Sequence, residues 1–124
     1  MLAPTTGSEF VHWVALSVSA GIGEEFVYRG YLIWAFQPFI GLWGAAALSL
    51  AAFALSHSYQ GAKGVVGVAI TGGAFTLVVL IFGSLWPAIV LHTAVDICHG
   101  IIAWLVLRQL PGERATADGL APVG

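Results

Sequence analysis

Formal charges are almost absent from one long stretch of the chain, residues 10–107, where the only ones are Glu24, Glu25, Arg29, Lys63 and Asp96. Over all 124 residues, 8% are charged and 59% are hydrophobic, whereas soluble domains contain roughly 25% charged residues. A spanning helix needs about 20 mostly apolar residues, so four spans fit the stretch and five do not. We therefore expect an all-α membrane protein, a bundle of about four transmembrane helices.

Turn and cap residues predict where these helices begin and end. The first helix is expected over 9–36, after the N-cap candidates Thr5, Thr6 and Ser8 and before the stop signal of Gln37-Pro38 and Gly41. The second is expected over 42–59, a polar turn at 60–64, the third helix over 65–82 and the fourth from Pro87 to about residue 110. The chain then divides into a lead-in, 1–8, a helical core, 9–110, and a flexible polar tail, 111–124.

The few basic residues predict the orientation of the chain and exclude one class of partner. Four spans put both termini, Lys63, Arg108 and Arg114 on one side, which the positive-inside rule makes cytoplasmic. We expect an integral protein of a bacterial inner membrane with its termini in the cytoplasm. The net charge of -2 and the scattered basic residues exclude a nucleic-acid partner. The single Cys98 excludes an internal disulfide framework and is interpreted as a small helix residue.

Two carboxylates and a guanidinium lie together in the first predicted span. Charges within a membrane are costly, by roughly 2.5 to 3.5 kcal/mol each on insertion scales, so they persist mainly where they pair or carry function. Glu25 and Arg29 are one helical turn apart and form a predicted structural ion pair. Glu24 points about 100° away from Glu25 on an α-helix and is left to face a partner helix or a cavity. The preceding Gly21 and Gly23 indicate either close helix packing or a bend that opens space.

Polar residues also occur on two other predicted spans. His92, Asp96 and His99 are spaced i, i+4 and i+7, which aligns them within about 40° on one face of the fourth helix. His57 lies near the end of the second helix, one turn after Phe53. The third span is uncharged and is interpreted as a scaffold with small-residue contact surfaces. His12 has no carboxylate at helical spacing and is given no role.

Three short motifs on three different spans resemble those of a known family. Glu24-Glu25-Phe26-Val27-Tyr28-Arg29 resembles an EExxxR motif, Phe53-Ala54-Leu55-Ser56-His57 an FxxxH motif and His92-Thr93-Ala94-Val95-Asp96 an HxxxN/D motif. Together, in this order, they are typical of the CPBP intramembrane proteases, which comprise the CAAX prenyl endopeptidases and bacterial relatives, some linked to bacteriocin processing or self-immunity. The resemblance covers roughly residues 21–107. Family members usually have further spans before the first motif, so the chain is either a minimal core or a fragment.

The resemblance implies hydrolysis of a peptide bond by a water molecule held between a glutamate and a histidine. Glu24 is then the general base, His57 its partner, and His92 and Asp96 stabilise the oxyanion. Many relatives have Asn where this chain has Asp96, and an ionised carboxylate cannot donate a hydrogen bond. Asp96 must therefore be protonated or only orient His92.

A metal-dependent mechanism is the alternative within this family. Glu24, His57, His92 and Asp96 form an acceptable ligand set for zinc with a position left for water. Metal-free catalysis, which requires no cofactor, is preferred. The substrate partner is a peptide or protein at the lipid bilayer, and the oligomeric state is left open.

Three alternative hypotheses lie outside this mechanism. The first is a non-catalytic immunity or scaffold protein that binds a peptide without cutting it, and the second is a b-type haem protein with His57 and His92 as axial ligands. The third, a serine protease, is disfavoured because Ser56, Ser58 and Ser84 do not lie in a GxSxG-like setting.

Overall fold

The computed structural model describes residue 4 and residues 6–109, with side chains up to residue 106; position 110 and the predicted tail, 111–124, lie outside the described residues. The helices are α1 (Gly7–Glu24), a π-helix, here called the π segment (Glu25–Leu32), α2 (Ile33–Ser56), α3 (Gly61–Phe82) and α4 (Trp86–Gln109), with a 3₁₀ turn at Ser58–Gln60. No strand is present in this described part. Three helical runs, Gly7–Ser56, Ser58–Phe82 and Trp86–Val106, are long and apolar enough to cross a membrane. The prediction of an all-α membrane protein is confirmed.

The first helix begins at a capping box, two residues earlier than predicted. The Glu9 backbone N–H donates to the Thr6 hydroxyl at 3.2 Å, and the Thr6 backbone N–H donates to the Glu9 carboxylate at 3.3 Å. These reciprocal bonds satisfy two of the donors that a helix N-terminus leaves without a partner. Of the three predicted N-cap candidates, Thr6 holds the position.

The predicted stop at Gln37-Pro38 is wrong, because the helical run continues through Pro38 and is broken at Gly41. Gly41 has φ 73° and ψ 167°, a conformation that glycine adopts without the steric clash of a Cβ atom. Residues 36–43 are all exposed, so Pro38 disturbs helical hydrogen bonding only where no packing depends on it. Gly41 therefore separates the first helix from the second.

Beyond Gly41, α2 folds back along the π segment. The Ser49 hydroxyl donates to the backbone carbonyl of Tyr28, and the rings of Tyr28 and Phe53 meet edge to face with centroids 5.1 Å apart. The buried apolar core consists of Ile33, Ala45 and Ala46, with Leu80 of α3 packed against it. This folding back brings the end of α2 next to Glu24, the last residue of α1.

The turn between α2 and α3 is shorter than the predicted loop. Gly61 takes φ 76°, and α3 begins there rather than at residue 65, because a single positive-φ glycine reverses the chain and the residues after it are free to be helical. The predicted second helix, 42–59, ends at Ser56 and gives way to the 3₁₀ turn. His57 therefore lies at a helix terminus, next to the polar turn.

Close contact between α1 and α4 fixes the fourth helix against the first. A Cβ atom on Gly21 would clash with the Thr93 side chain and lie tightly against the Ile89 carbonyl, and one on Gly100 would clash with Trp13. The Trp13 indole also donates to the Asp96 backbone carbonyl at 3.0 Å. Of the two roles considered for Gly21, the structure therefore shows close packing, which holds the His92 and Asp96 turns of α4 beside Glu24.

Much of the large apolar side-chain surface faces outward. Trp34 is 72% exposed, Phe39 81% and Ile81 76%, and few of the large hydrophobic residues are buried. Such a surface is unfavourable in water but matches the hydrocarbon interior of a bilayer. The described helices thus turn apolar faces to lipid and concentrate their polar side chains inside.

Candidate functional site

The ion pair of the first helix lies inside a rare local structure. Residues Glu25–Leu32 form a π-helix, and such π-helical turns occur frequently at functional sites. Glu25 is fully buried and Arg29 is 2% exposed, and Arg29 Nη1 donates to Glu25 Oε1 at 2.9 Å. The guanidinium and the carboxylate thus neutralise each other away from lipid.

Helix α3 supplies the other partners of Arg29. Nη2 donates to the Gly72 carbonyl at 2.9 Å, and Nε donates to the Thr76 hydroxyl at 3.3 Å. The guanidinium carbon lies 4.2 Å from the centroid of the Phe53 ring, a favourable cation–π distance. Each nitrogen of the guanidinium therefore has a partner, and the group is held on one face by an aromatic ring.

His92 is bound through Nδ1 to the same carboxylate that pairs with Arg29. Nδ1 lies 2.8 Å from Glu25 Oε1, and the imidazole stacks on the Phe75 ring with centroids 5.2 Å apart. An ionised carboxylate only accepts, so Nδ1 carries a hydrogen. Nε2 faces two other carboxylates, 3.7 Å from Glu24 Oε2 and 3.7 Å from Asp96 Oδ2.

His57 presents its Nε2 atom to the same place from the end of α2. Its Nδ1 lies 2.9 Å from the Phe53 backbone carbonyl and 3.2 Å from the Ser56 hydroxyl. Because a carbonyl only accepts, Nδ1 is the donor and Nε2 of the neutral ring keeps a free lone pair. That nitrogen lies 4.0 Å from Glu24 Oε2.

Glu24 Oε2 is the point on which these groups converge. This oxygen is buried and has no hydrogen-bond partner among the described residues, although two imidazole nitrogens lie 3.7 and 4.0 Å from it. Both distances exceed a direct hydrogen bond, so neither imidazole is bonded to this oxygen directly. The side chains of Glu24 and Asp96 are each 33% exposed, so the cluster opens to its surroundings on one side.

The structure brings together the four residues proposed from the motifs and leaves two other histidines outside. Glu24, His57, His92 and Asp96 form the cluster just described. His99, predicted to share the polar face of α4, is exposed. His12 is also exposed and bonds only to the Ser8 carbonyl within its own helix, at 2.7 Å.

Helix α3 contributes contacts to the site that the sequence interpretation did not include. Arg29 pairs with Glu25, and the two carboxylates approach opposite nitrogens of the same His92 ring. The interpretation of α3 as a scaffold missed Gly72, Phe75 and Thr76, and no signal in the sequence marks them: one contributes a backbone carbonyl and the others resemble ordinary packing residues.

The ligand set proposed for zinc is not recognised as a metal centre in the structure. Within the described residues, no group of three or more His, Cys, Asp or Glu side chains has a geometry that could hold a metal ion. The metal-dependent alternative stays a prediction, and no catalytic step is derived through a zinc ion.

Comparison with protein families places this geometry in context. Residues 6–98 match the family model described as type II CAAX prenyl endopeptidase Rce1-like. The matched stretch includes every residue of the cluster, from Glu24 to Asp96. No curated protein and no solved structure matches the chain.

Proposed function

Because the chain belongs to the Rce1-like family of type II CAAX prenyl endopeptidases, we propose that it is an intramembrane endopeptidase whose water nucleophile is activated by Glu24 and His57. One observation carries the proposal: Glu24 Oε2 is buried without a hydrogen-bond partner between the Nε2 atoms of His57 and His92. A water molecule in this position donates one hydrogen to the Glu24 carboxylate and the other to His57 Nε2. Its oxygen lone pair is then directed at the substrate.

The chemistry begins with proton transfer from water to Glu24. The hydroxide oxygen forms a bond to the scissile carbonyl carbon, and the carbonyl oxygen becomes an oxyanion. The tetrahedral intermediate then collapses, the C–N bond breaks, and Glu24 returns its proton to the leaving amine. A positioned general base that exchanges protons in this way contributes typically 10²- to 10⁴-fold to a rate.

His92 and Asp96 stabilise the oxyanion in this mechanism. His92 Nδ1–H is anchored on Glu25, which leaves Nε2 facing Glu24. When the ring is an imidazolium, with a second hydrogen on Nε2, it donates to the oxyanion. Asp96 donates in the same way when it is protonated, and when ionised it orients His92 from 3.7 Å. Preorganised donors of this kind are each worth about 10²- to 10³-fold in kcat.

The proposed substrate is a peptide segment at the membrane, and the lipid bilayer is the second partner. The end of α2 that carries His57 is followed directly by the exposed Tyr59, Gln60 and Lys63, which puts the cluster near a polar end of the bundle. We infer a bacterial inner membrane with both termini and Lys63 on the cytoplasmic side, because the positive-inside rule favours that orientation.

Cleavage of a peptide pool by the purified protein in detergent, read by mass spectrometry, tests the proposal. Wild type should cleave, and Glu24→Gln, which keeps the size of the side chain, should lower the rate at least about 100-fold. His92→Asn should be similarly impaired, whereas His99→Asn, a matched change on the exposed face of α4, should cleave as wild type does. Wild-type cleavage by Glu24→Gln would refute the role of Glu24 as base.

The same assay separates the proposal from a peptide-binding scaffold or immunity protein. For a non-catalytic protein, no peptide would be cut by wild type, and Glu24→Gln would leave peptide binding unchanged. The absence of a Soret band in the purified protein would exclude the bis-histidine haem reading.

A further inference from the structure

Helix α3 carries no family motif, but it holds the guanidinium of Arg29 through two positions one turn apart. The Thr76 hydroxyl donates to the Gly72 carbonyl at 2.9 Å, so its hydrogen is directed away from Arg29. Its lone pair accepts from Arg29 Nε at 3.3 Å, while the Gly72 carbonyl accepts from Nη2 at 2.9 Å. Two contacts along one edge of a planar group fix the rotation of that plane.

The orientation of the guanidinium determines where its third nitrogen points. Nη1 donates to Glu25 Oε1, and the same oxygen accepts from His92 Nδ1 at 2.8 Å. A continuous chain of hydrogen bonds thus runs from Thr76 through Arg29 and Glu25 to the imidazole. Each of the four side chains in this series of hydrogen bonds is less than 9% exposed. Solvent therefore does not replace any of these bonds.

Phe75, the neighbour of Thr76, restrains the same imidazole in a different direction. Its ring stacks on His92 with an interplanar angle of 22°, which fixes the plane of the imidazole but does not distinguish the two orientations related by a 180° flip about the Cβ–Cγ bond. The bond from Nδ1 to Glu25 selects one of them. Together the two restraints direct Nε2 towards Glu24 and Asp96.

We propose that Thr76 is a positioning residue for peptide-bond cleavage, acting through Arg29 and Glu25 to hold the His92 ring with Nε2 directed at Glu24. This inference rests on the proposed function and deepens it. Thr76 does not touch the substrate. Its loss therefore impairs the chemical step rather than substrate binding.

Thr76→Val tests this inference, because valine has nearly the shape of threonine but neither donates nor accepts. We expect kcat to fall about ten- to 100-fold, the scale of a small misplacement of a catalytic group, with KM within about twofold of wild type. Thr76→Ser, which restores the hydroxyl, should recover most of kcat. The matched control is Thr71→Val on the exposed face of α3, where the hydroxyl bonds only within its own helix; its kcat should equal that of wild type.

Nitrogen NMR of protein labelled at histidine supplies a readout that does not need cleavage. The chain has four histidines, and His92→Asn identifies the His92 signals. Wild type should show His92 with a hydrogen fixed on Nδ1, and Thr76→Val should average or shift these signals while Thr71→Val leaves them unchanged. If wild type cuts no peptide, the proposed function fails, and the spectrum alone still tests whether Thr76 orients the ring.

Several outcomes would overturn the inference. They are an unchanged kcat or an unchanged His92 spectrum in Thr76→Val, a fall in kcat that Thr76→Ser does not restore, and an equal fall in Thr71→Val. If Thr76→Val does not fold, Thr76→Ala removes the same hydroxyl with less bulk and carries the same expectations.

Discussion

Replacing each adjacent glutamate by glutamine should separate stability from catalysis. Glu25→Gln removes a charge that is fully buried and that accepts from both Arg29, at 2.9 Å, and His92, at 2.8 Å. The amide also puts a donor at the position of Glu25 Oε2, which has no partner in the described structure. The guanidinium of Arg29 then remains buried without its counter-charge.

The structure gives the size of this effect. Removing one partner of a buried ion pair costs about 3 to 5 kcal/mol of stability, because the remaining charge is uncompensated. The total free energy of unfolding of a typical protein is only about 5 to 15 kcal/mol. Glu24→Gln removes no hydrogen bond at Oε2 and affects a side chain that is 33% exposed. Its free energy of unfolding should stay within about 1 kcal/mol of wild type.

Unfolding in mixed micelles with an increasing fraction of sodium dodecyl sulfate measures both variants. The five tryptophans provide a fluorescence signal, and the free energy of unfolding is extrapolated to zero sodium dodecyl sulfate. Glu25→Gln should be the unstable variant, and Glu24→Gln should be stable but unable to cleave. If Glu25→Gln is no less stable than Glu24→Gln, the ion pair does not hold this fold together and the reasoning from burial is wrong.

Three further perturbations test other parts of the site. Gly72→Ala should lower the free energy of unfolding by about 1 to 3 kcal/mol, because its Cβ would lie 2.7 Å from the Phe53 ring and 2.9 Å from Arg29 Nη2. The control is Gly73→Ala, whose Cβ would meet only Leu50, at 3.7 Å. It should leave the free energy of unfolding unchanged in the same assay. Arg29→Lys keeps the charge but not the three-nitrogen fork, so it should lose about 1.5 to 3 kcal/mol for each charged hydrogen bond that is not replaced, measured in the same way. Incubation with EDTA or 1,10-phenanthroline should leave cleavage of the peptide pool unchanged; loss of cleavage that added zinc restores would show instead that the enzyme depends on a metal.

The spans and the break between the first two helices were predictable because they depend on local chemistry. A shortage of charge over 10–107 requires a membrane environment, and Gly41 supplies the one residue type that adopts φ 73° without strain. Thr6 was one of three N-cap candidates, and the sequence interpretation did not choose among them. Pro38 misled the prediction because its effect on a helix depends on whether the surrounding turn is packed, which a sequence does not state.

The contacts of the site were only partly predictable because they depend on how the helices register against one another. The spacing of His92 and Asp96 puts them on one face of a helix, but it does not show which carboxylate that face meets. The Gly72 carbonyl is a backbone group that every residue possesses, so no residue type marks it as a ligand of Arg29. Phe75 and Thr76 occur in an uncharged span where packing is the ordinary explanation.

Two neighbouring carboxylates approach one imidazole from opposite sides. Glu24 and Glu25 diverge by about 100° as successive helical residues do, and Glu25 Oε1 bonds to Nδ1 of His92 while Glu24 Oε2 lies 3.7 Å from Nε2. Arg29 neutralises only the carboxylate on the Nδ1 side. The two carboxylates consequently have different surroundings: Glu25 is enclosed and paired, while Glu24 is partly open and has an oxygen without a partner. The proposed mechanism requires this asymmetry, because Glu24 acts as the base and Glu25 orients His92, and it arises from position on the helix rather than from any difference between the two side chains.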